Sequence, residues 1–177
     1  MILVAYYGVP DQDFDLVYGI GRLMDWENKV GPNDYITKEV QNVLKCDYAD
    51  RDVERLVYFF IVGNKGYYMQ FQPIANSIHE YTQKVDKYIK KKTCTDMYYF
   101  DLKEEPVAFS KDLINKQANY IASKISEIVE KKNYRDINIV THSVGSYVAM
   151  KAIDKDDFPI QTLRNVISLA SPNIQAP

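Results

Sequence analysis

Histidine is nearly absent from this chain. His79 and His142 are the only two, and none follows position 142. Any chemistry that needs an imidazole base has only these two to draw on. Cysteine is equally sparse, with Cys46 and Cys94 at a spacing that fits no metal or redox motif. The pair leaves two readings open: buried or free thiols, or one disulfide in an oxidising lumen. Long apolar runs are also missing. The stretch from Met1 to Val9 is apolar but short, lacks a basic flank, and runs straight into Asp11, Asp13 and Asp15. It therefore reads as neither signal peptide nor membrane span. No excess of one charge exists, since the net value is -2. Nothing in that balance points to nucleic acid. Glycine is limited to 7 residues. Gly19-Ile20-Gly21 begins a dinucleotide fingerprint, but position 24 is Met24 and no clear strand precedes it. Asp154, Asp156 and Asp157 lack the glycine and closing glutamate of a calcium loop and read as a solvated turn. No metal or cofactor is expected.

What is present is ordinary for one folded, soluble domain. The 177 residues are 46% hydrophobic and 26% charged, enough for one real core and not clearly enough for two. Tyrosine is unusually frequent, at 15 against 7 phenylalanines. We read this as a habit of composition in preference to a lipid-facing or sugar-facing surface.

Residues 1–50 read as a segment of uncertain structure, with a turn at Gly31-Pro32-Asn33-Asp34 and a short helix over 35–45. The pattern sharpens from residue 51. The run from Leu56 to Val62 is continuously apolar and predicts a strand buried on both faces, ended by Gly63. Phe71, Ile74, Ala75, Ile78, Tyr81, Val85 and Tyr88 recur at helical spacing, and Lys90-Lys91-Lys92 suits that helix's end. Residues 97–100 predict a second strand. Ser110 is a candidate N-cap for a helix whose stripe runs from Ile114 to Val129. Residues 137–140 predict a third strand, 145–153 a helix, and 166–170 a fourth strand. This alternation implies an α/β fold with parallel pairing and right-handed crossovers. The chain stops just after its last strand, where a sheet of this kind is expected to continue.

Chemistry concentrates in Thr141-His142-Ser143-Val144-Gly145. Strand, then this pentad, then helix is the context of a nucleophile elbow. Such a turn needs small residues two before and two after the serine. Gly145 meets that need; Thr141 brings a branched side chain to the other position. The helix N-terminus favours developing negative charge, and the Val144 N–H is a candidate oxyanion donor. A second donor is expected from Gly63-Asn64-Lys65-Gly66-Tyr67, where two glycines allow a sharp turn after the first strand. The acid and base that would activate the serine are not visible. His142 adjoins Ser143 and is expected to support the elbow by packing. His79 reads as a surface or satisfied helix residue.

Several segments together resemble one family, the GPI inositol-deacylases, within the α/β-hydrolase superfamily. Val62-Gly63-Asn64-Lys65-Gly66-Tyr67 resembles that family's P-G-N-x-G-S loop, and Gln70 to Ala75 its helix start. Tyr99 to Glu105 resembles F-x-V-x-F-N-E-E, followed by Ala108 and Phe109, and Gln117 sits like a glutamine of the long helix. Thr141 to Ser146 resembles G-H-S-M-G-G, and Leu169 to Pro177 resembles L-A-T-P-H-x-x-A-P. The departures are Val62 for Pro, Tyr67 for Ser, Thr141 and Ser146 for Gly, and Asn173 for His. The resemblance implies an α/β-hydrolase core over 51–177, incomplete at its C-terminus. It implies Ser143 as nucleophile, Gly63, Asn64, Gly66 and Val144 around the oxyanion or substrate, and His142 and Gly145 supporting the elbow. It also implies a partner set of acylated GPI lipid or GPI-anchored proteins, an endoplasmic-reticulum membrane setting, a link to protein transport, and acid–base partners beyond Pro177. The alternatives are a catalytically incomplete hydrolase-like module or fragment, and a lipase or esterase with a different acyl ester.

Overall fold

The computed structural model of the chain describes residues 35–39, 53–90 and 93–172. Five strands form one sheet: β1 (Ile36–Glu39), β2 (Glu54–Ile61), β3 (Thr93–Asp101), β4 (Ile137–His142) and β5 (Leu163–Leu169). Their spatial order is β1-β3-β2-β4-β5. β3, β2, β4 and β5 run parallel, and β1 pairs antiparallel with β3, placing Ile36 opposite Asp101. Three helices connect the parallel strands: α1 (Gln72–Ile89), α2 (Lys111–Lys132) and α3 (Gly145–Ile153).

The parallel core strands are apolar because both of their faces are covered. Phe59, Phe60 and Ile61 of β2, Phe100 of β3 and Ile139 of β4 are fully buried. Each such side chain contributes roughly 1.5–3 kcal/mol by leaving water. α2 supplies one covering stripe through Leu113, Ala118, Ile121, Ala122, Ile125 and Val129. The Ser110 Oγ accepts from the Leu113 N–H at 3.2 Å, and Asn133 closes the helix in the left-handed region. α1 carries Pro73 in its first turn and is capped by Lys90, also left-handed.

The sequence predicts a short helix over 35–45. Instead Ile36–Glu39 is an edge strand, because its backbone groups find partners along the free side of β3; residues 40–45 lie outside those described, as do 1–34. The second predicted strand is longer than its aromatic centre, since Thr93 to Asp96 continue the parallel ladder with β2. Cys94 is buried in β3 and disulfide-bonded, while Cys46 lies outside the described residues. Among the described residues β5 pairs with β4 alone, and both of its faces are largely exposed, Val166 and Ile167 included.

Connectivity decides where a site can form. From β2 the chain moves through α1 to β3 on one side; from β3 it returns through α2, past β2, to β4; from β4 it continues through α3 to β5. α2 and α3 pack together, and right-handed crossovers put α1 on the opposite face. The direction of winding thus reverses between β2 and β4. In open parallel sheets the crevice outside the carboxyl ends at such a reversal is where ligands bind. Here those ends carry Gly63 and Ser143.

Candidate active site

β4 ends at His142 and α3 begins at Gly145, so the backbone reverses within two residues. Ser143 takes the strain of that reversal, with φ at 52°. A non-glycine residue held in the left-handed region costs about 1–2 kcal/mol, and it persists only when its surroundings dictate it. They do so here through two bonds. The Ser143 N–H donates to the Leu169 carbonyl at 2.9 Å, and its carbonyl accepts from Ser146 N–H at 3.2 Å. Lys65, Lys103, Glu104 and Ala170 are also left-handed, and all lie at the carboxyl ends of β2, β3 and β5. The strained residues therefore gather along one edge of the sheet. Lys90 and Asn133, the others in this region, are helix caps.

The two small positions have distinct reasons. A Cβ on Gly145 would lie 2.4 Å from the Val62 carbonyl oxygen, so glycine lets α3 start directly against the end of β2. A Cβ on Gly63 would lie 2.8 Å from the His142 carbonyl oxygen and 2.9 Å from the Ser143 Cβ. The backbone of the 63–66 loop thus passes in direct contact with the serine. Gly66 closes that loop by donating to the Gly63 carbonyl at 3.1 Å, and a Cβ there would meet Val62 at 2.7 Å. Asn64 accepts the Ala108 N–H on its side-chain oxygen at 3.0 Å. Val144 caps α3 without any side-chain bond.

Thr141 is fully buried beneath the elbow. Its Oγ1 lies 2.6 Å from the Ser146 Oγ and donates to the Ser168 Oγ at 3.3 Å. Ser146 bonds the Ser171 hydroxyl, and Ser171 donates to the Ser143 carbonyl at 3.4 Å. The residues standing where the elbow pattern has glycines, Thr141 and Ser146, therefore satisfy each other. Neither Ser171 nor Ser168 was singled out from the sequence, because nothing local in the 163–172 segment marks a hydroxyl that reaches across to β4.

The histidines differ. His142 is half-buried, and desolvation lowers its pKa below the ordinary 6.5, which favours the neutral ring. Ser143 lies just beyond the end of β4, and among the described residues no hydrogen bond joins the His142 ring to its hydroxyl. His79 lies on α1, with Nδ1 3.4 Å from the Thr95 hydroxyl and Nε2 2.8 Å from the Gln83 amide. Thr95 pairs with Leu56 in the amino half of the sheet, away from the edge that carries Ser143. Asp154, Asp156 and Asp157 lie in the turn after α3, exposed.

Glu105 is a further residue at this edge. Its carboxylate is completely buried, and its carbonyl accepts the Lys65 N–H at 3.0 Å. Tyr35 donates to that carboxylate from 70 positions away in sequence, a separation over which no local pattern could have revealed it.

A family model described as a PGAP1-like alpha/beta domain matches residues 52–177. Among curated proteins the chain is similar to a GPI inositol-deacylase of Neurospora crassa, 25% identical over 146 residues, covering 72% of this chain and 12% of that protein. It is also similar to a GPI inositol-deacylase of Cryptococcus neoformans, 29% identical over 131 residues, covering 67% of this chain and 16% of that one. The chain thus spans well under one fifth of the length of these relatives. Among solved structures it is similar to the mature form of a Bacillus licheniformis lipase, with 19% identity and a TM-score of 0.48, over 81% of this chain and 49% of the lipase.

Proposed function

The chain belongs to the PGAP1-like alpha/beta domain family, and from that premise we propose that it is the nucleophile-bearing part of a serine ester hydrolase that removes the acyl chain from the inositol of GPI anchors. One observation carries the reading. Ser143 is held at a φ of 52° between β4 and α3, with the Gly63 backbone against its Cβ.

In this reading the Ser143 hydroxyl attacks the acyl carbonyl carbon and gives its proton to a base. The carbonyl oxygen becomes an oxyanion at the N-terminus of α3, held by the N–H of Val144 and by N–H groups of the Gly63–Asn64 segment. Gly66 shapes the loop so that those groups face inward. When the tetrahedral species collapses, the ester carbon–oxygen bond breaks. The inositol oxygen takes the proton from the base, and the acyl group remains on Ser143. Water then releases the fatty acid by the same steps in reverse. His142 and Gly145 support the elbow, the first through its backbone against Gly63 and the second by its missing Cβ. We propose that the base and its orienting acid come from residues outside those described. We assign the catalytic core to 51–177 and treat 1–50 as a leading segment.

The setting follows from the substrate. A GPI lipid, free or on a GPI-anchored protein, puts the reaction at the endoplasmic-reticulum membrane, with a link to protein transport. No helix among the described residues is long and apolar enough to cross a membrane, so the proposed association rests on the lipid substrate. A second reading, a hydrolase-like module without turnover, is favoured by one observation. Among the described residues neither histidine is hydrogen-bonded to the Ser143 hydroxyl, and His79 is engaged with Thr95 and Gln83.

The test is incubation of the intact protein with an inositol-acylated GPI, followed by mass spectrometry of the lipid. Loss of the acyl mass, abolished by Ser143→Ala, supports the hydrolase. Unchanged lipid with the intact protein supports the module.

A further inference from the structure

We propose that Glu105 is the positioning residue of the loop that would hold the oxyanion, and that Tyr35, from the segment ahead of the family match, completes its setting. The inference rests on the esterase reading of Ser143 and deepens it.

The loop Gly63–Gly66 makes no covalent connection to the elbow, yet its backbone must stay in contact with Ser143 for any N–H to reach a developing oxyanion. What fixes it is the segment after β3. The Glu105 carbonyl accepts the Lys65 N–H at 3.0 Å and the Val107 N–H at 2.8 Å, and Asn64 Oδ1 accepts the Ala108 N–H at 3.0 Å. Two adjacent residues of the loop are therefore tied to 105–108.

That segment would itself be loose without an anchor. Lys103 and Glu104 are both left-handed, with φ values of 58° and 53°, a local conformation that persists only under outside constraint. Asp101 supplies part of that constraint, accepting the Lys103 N–H and pairing with its ammonium, both at 3.2 Å, and the Glu105 side chain ties the segment to the rest of the fold. It is buried and receives three donors: the Tyr35 hydroxyl, Gln117 Nε2 at 3.0 Å and Lys116 Nζ at 2.9 Å. The Lys116 ammonium lies 4.8 Å from the centroid of the Tyr35 ring, so the cation is shared between carboxylate and ring. Taking a carboxylate out of water is costly unless its lone pairs are satisfied. Here the same residue satisfies them with side-chain donors from α2 and from residue 35, while its carbonyl holds Lys65. Losing one donor therefore loosens the grip on the loop and leaves the sheet intact.

Tyr35 gives the arrangement its most specific consequence. The family match begins at residue 52, and Tyr35 precedes it, immediately before β1. Its ring packs edge-on to Tyr120 at 5.1 Å. The strand that follows adds to the sheet beside β3, so the leading segment is coupled to the reactive edge through one hydroxyl.

The test uses the full chain with two variants, Glu105→Gln and Tyr35→Phe, and two readouts. Amide hydrogen exchange follows Lys65 against Phe60 in the middle of the sheet. Labelling with a fluorophosphonate probe gives the maximal rate at Ser143 separately from the probe concentration at half-maximum. Loss of a single charged hydrogen bond is expected to speed Lys65 exchange roughly tenfold in each variant, with Phe60 unchanged. The maximal labelling rate should fall by a similar factor at unchanged half-saturation. Lys65 exchange that stays at the parental rate, or that rises in step with Phe60, overturns the proposal. A parent that shows no labelling at Ser143 defeats the esterase reading, and with it the positioning role, whatever the exchange at Lys65. Tyr35→Phe, which removes one oxygen, keeps the test valid if Glu105→Gln does not fold.

Discussion

Replacing Gly145 with alanine puts a methyl group into space already filled by main chain. Its Cβ would lie 2.4 Å from the Val62 carbonyl oxygen, 2.7 Å from that of Ile61 and 2.9 Å from the Val62 carbonyl carbon. All three neighbours are backbone, so no rotamer change relieves the contact. Ordinary carbon–oxygen contacts begin near about 3.3 Å, so α3 must withdraw from the end of β2 by roughly 1 Å. Overpacking of this kind costs on the order of 3 kcal/mol. Alanine returns roughly 1 kcal/mol, through better helix propensity and a less flexible unfolded chain. The net expectation is a loss of about 2 kcal/mol in denaturant unfolding at unchanged slope. The same withdrawal carries Val144 and Ser143 away from the Gly63 loop, and a misplacement of about 1 Å in a reacting site costs roughly a hundredfold in rate. Fluorophosphonate labelling should therefore slow by about that factor in the folded variant. A variant less than about 0.5 kcal/mol weaker than the parent, labelling at the parental rate, would refute the claim that the elbow rests on this contact.

The strain at Ser143 predicts that Ser143→Gly is more stable than Ser143→Ala. The left-handed φ costs alanine about 1–2 kcal/mol, and glycine gives back roughly 0.5–1 kcal/mol of that in the unfolded chain. Paired thermal melts with Ser143→Ala equal or higher would count against it. The hydroxyl pair beneath the elbow predicts coupling: Thr141→Val and Ser146→Ala together should cost about 1 kcal/mol less than the sum of the single changes. Strict additivity in a double-mutant cycle would show that the two hydroxyls do not satisfy each other. Burial first, and then the Glu105 carboxylate, raise the Tyr35 pKa above 10.0. A folded value above the unfolded one means that its contribution is fully present below about pH 10 and is lost as pH climbs through the folded value. Unfolding midpoints measured from neutral pH upward should fall at the alkaline end, and Tyr35→Phe should fall less steeply; parallel curves would exclude Tyr35 as a source.

The parts of the fold that could be read from the sequence are those whose pattern is local. Leu56 to Val62 is apolar without a break because β2 has a neighbouring strand on each side and a helix layer on each face, and that pattern has no other economical reading. The α2 boundaries follow from Ser110 and Asn133, which act on backbone groups within four residues. Ser143 stands out because strand, turn and helix are contiguous. The unread parts depend on distant partners. Ile36–Glu39 carries no decisive period, and only the free edge of β3 makes it a strand. Thr141 reads as crowded from the local pattern, and only the fold brings Ser146 and Ser168 to its hydroxyl. Glu105 lies in a stretch that resembles the deacylases, but its role rests on Lys65, Lys116, Gln117 and Tyr35, which no spacing rule connects. The apolar run of β5 predicted a strand correctly while giving no sign that its faces are open.

The central claim is that Ser143 is the nucleophile. Treating the intact protein with a fluorophosphonate probe and mapping the adduct by peptide mass spectrometry tests it most directly. The account predicts one adduct, on Ser143, absent after Ser143→Ala and retained after Ser171→Ala. No adduct, or an adduct that survives Ser143→Ala, would contradict it.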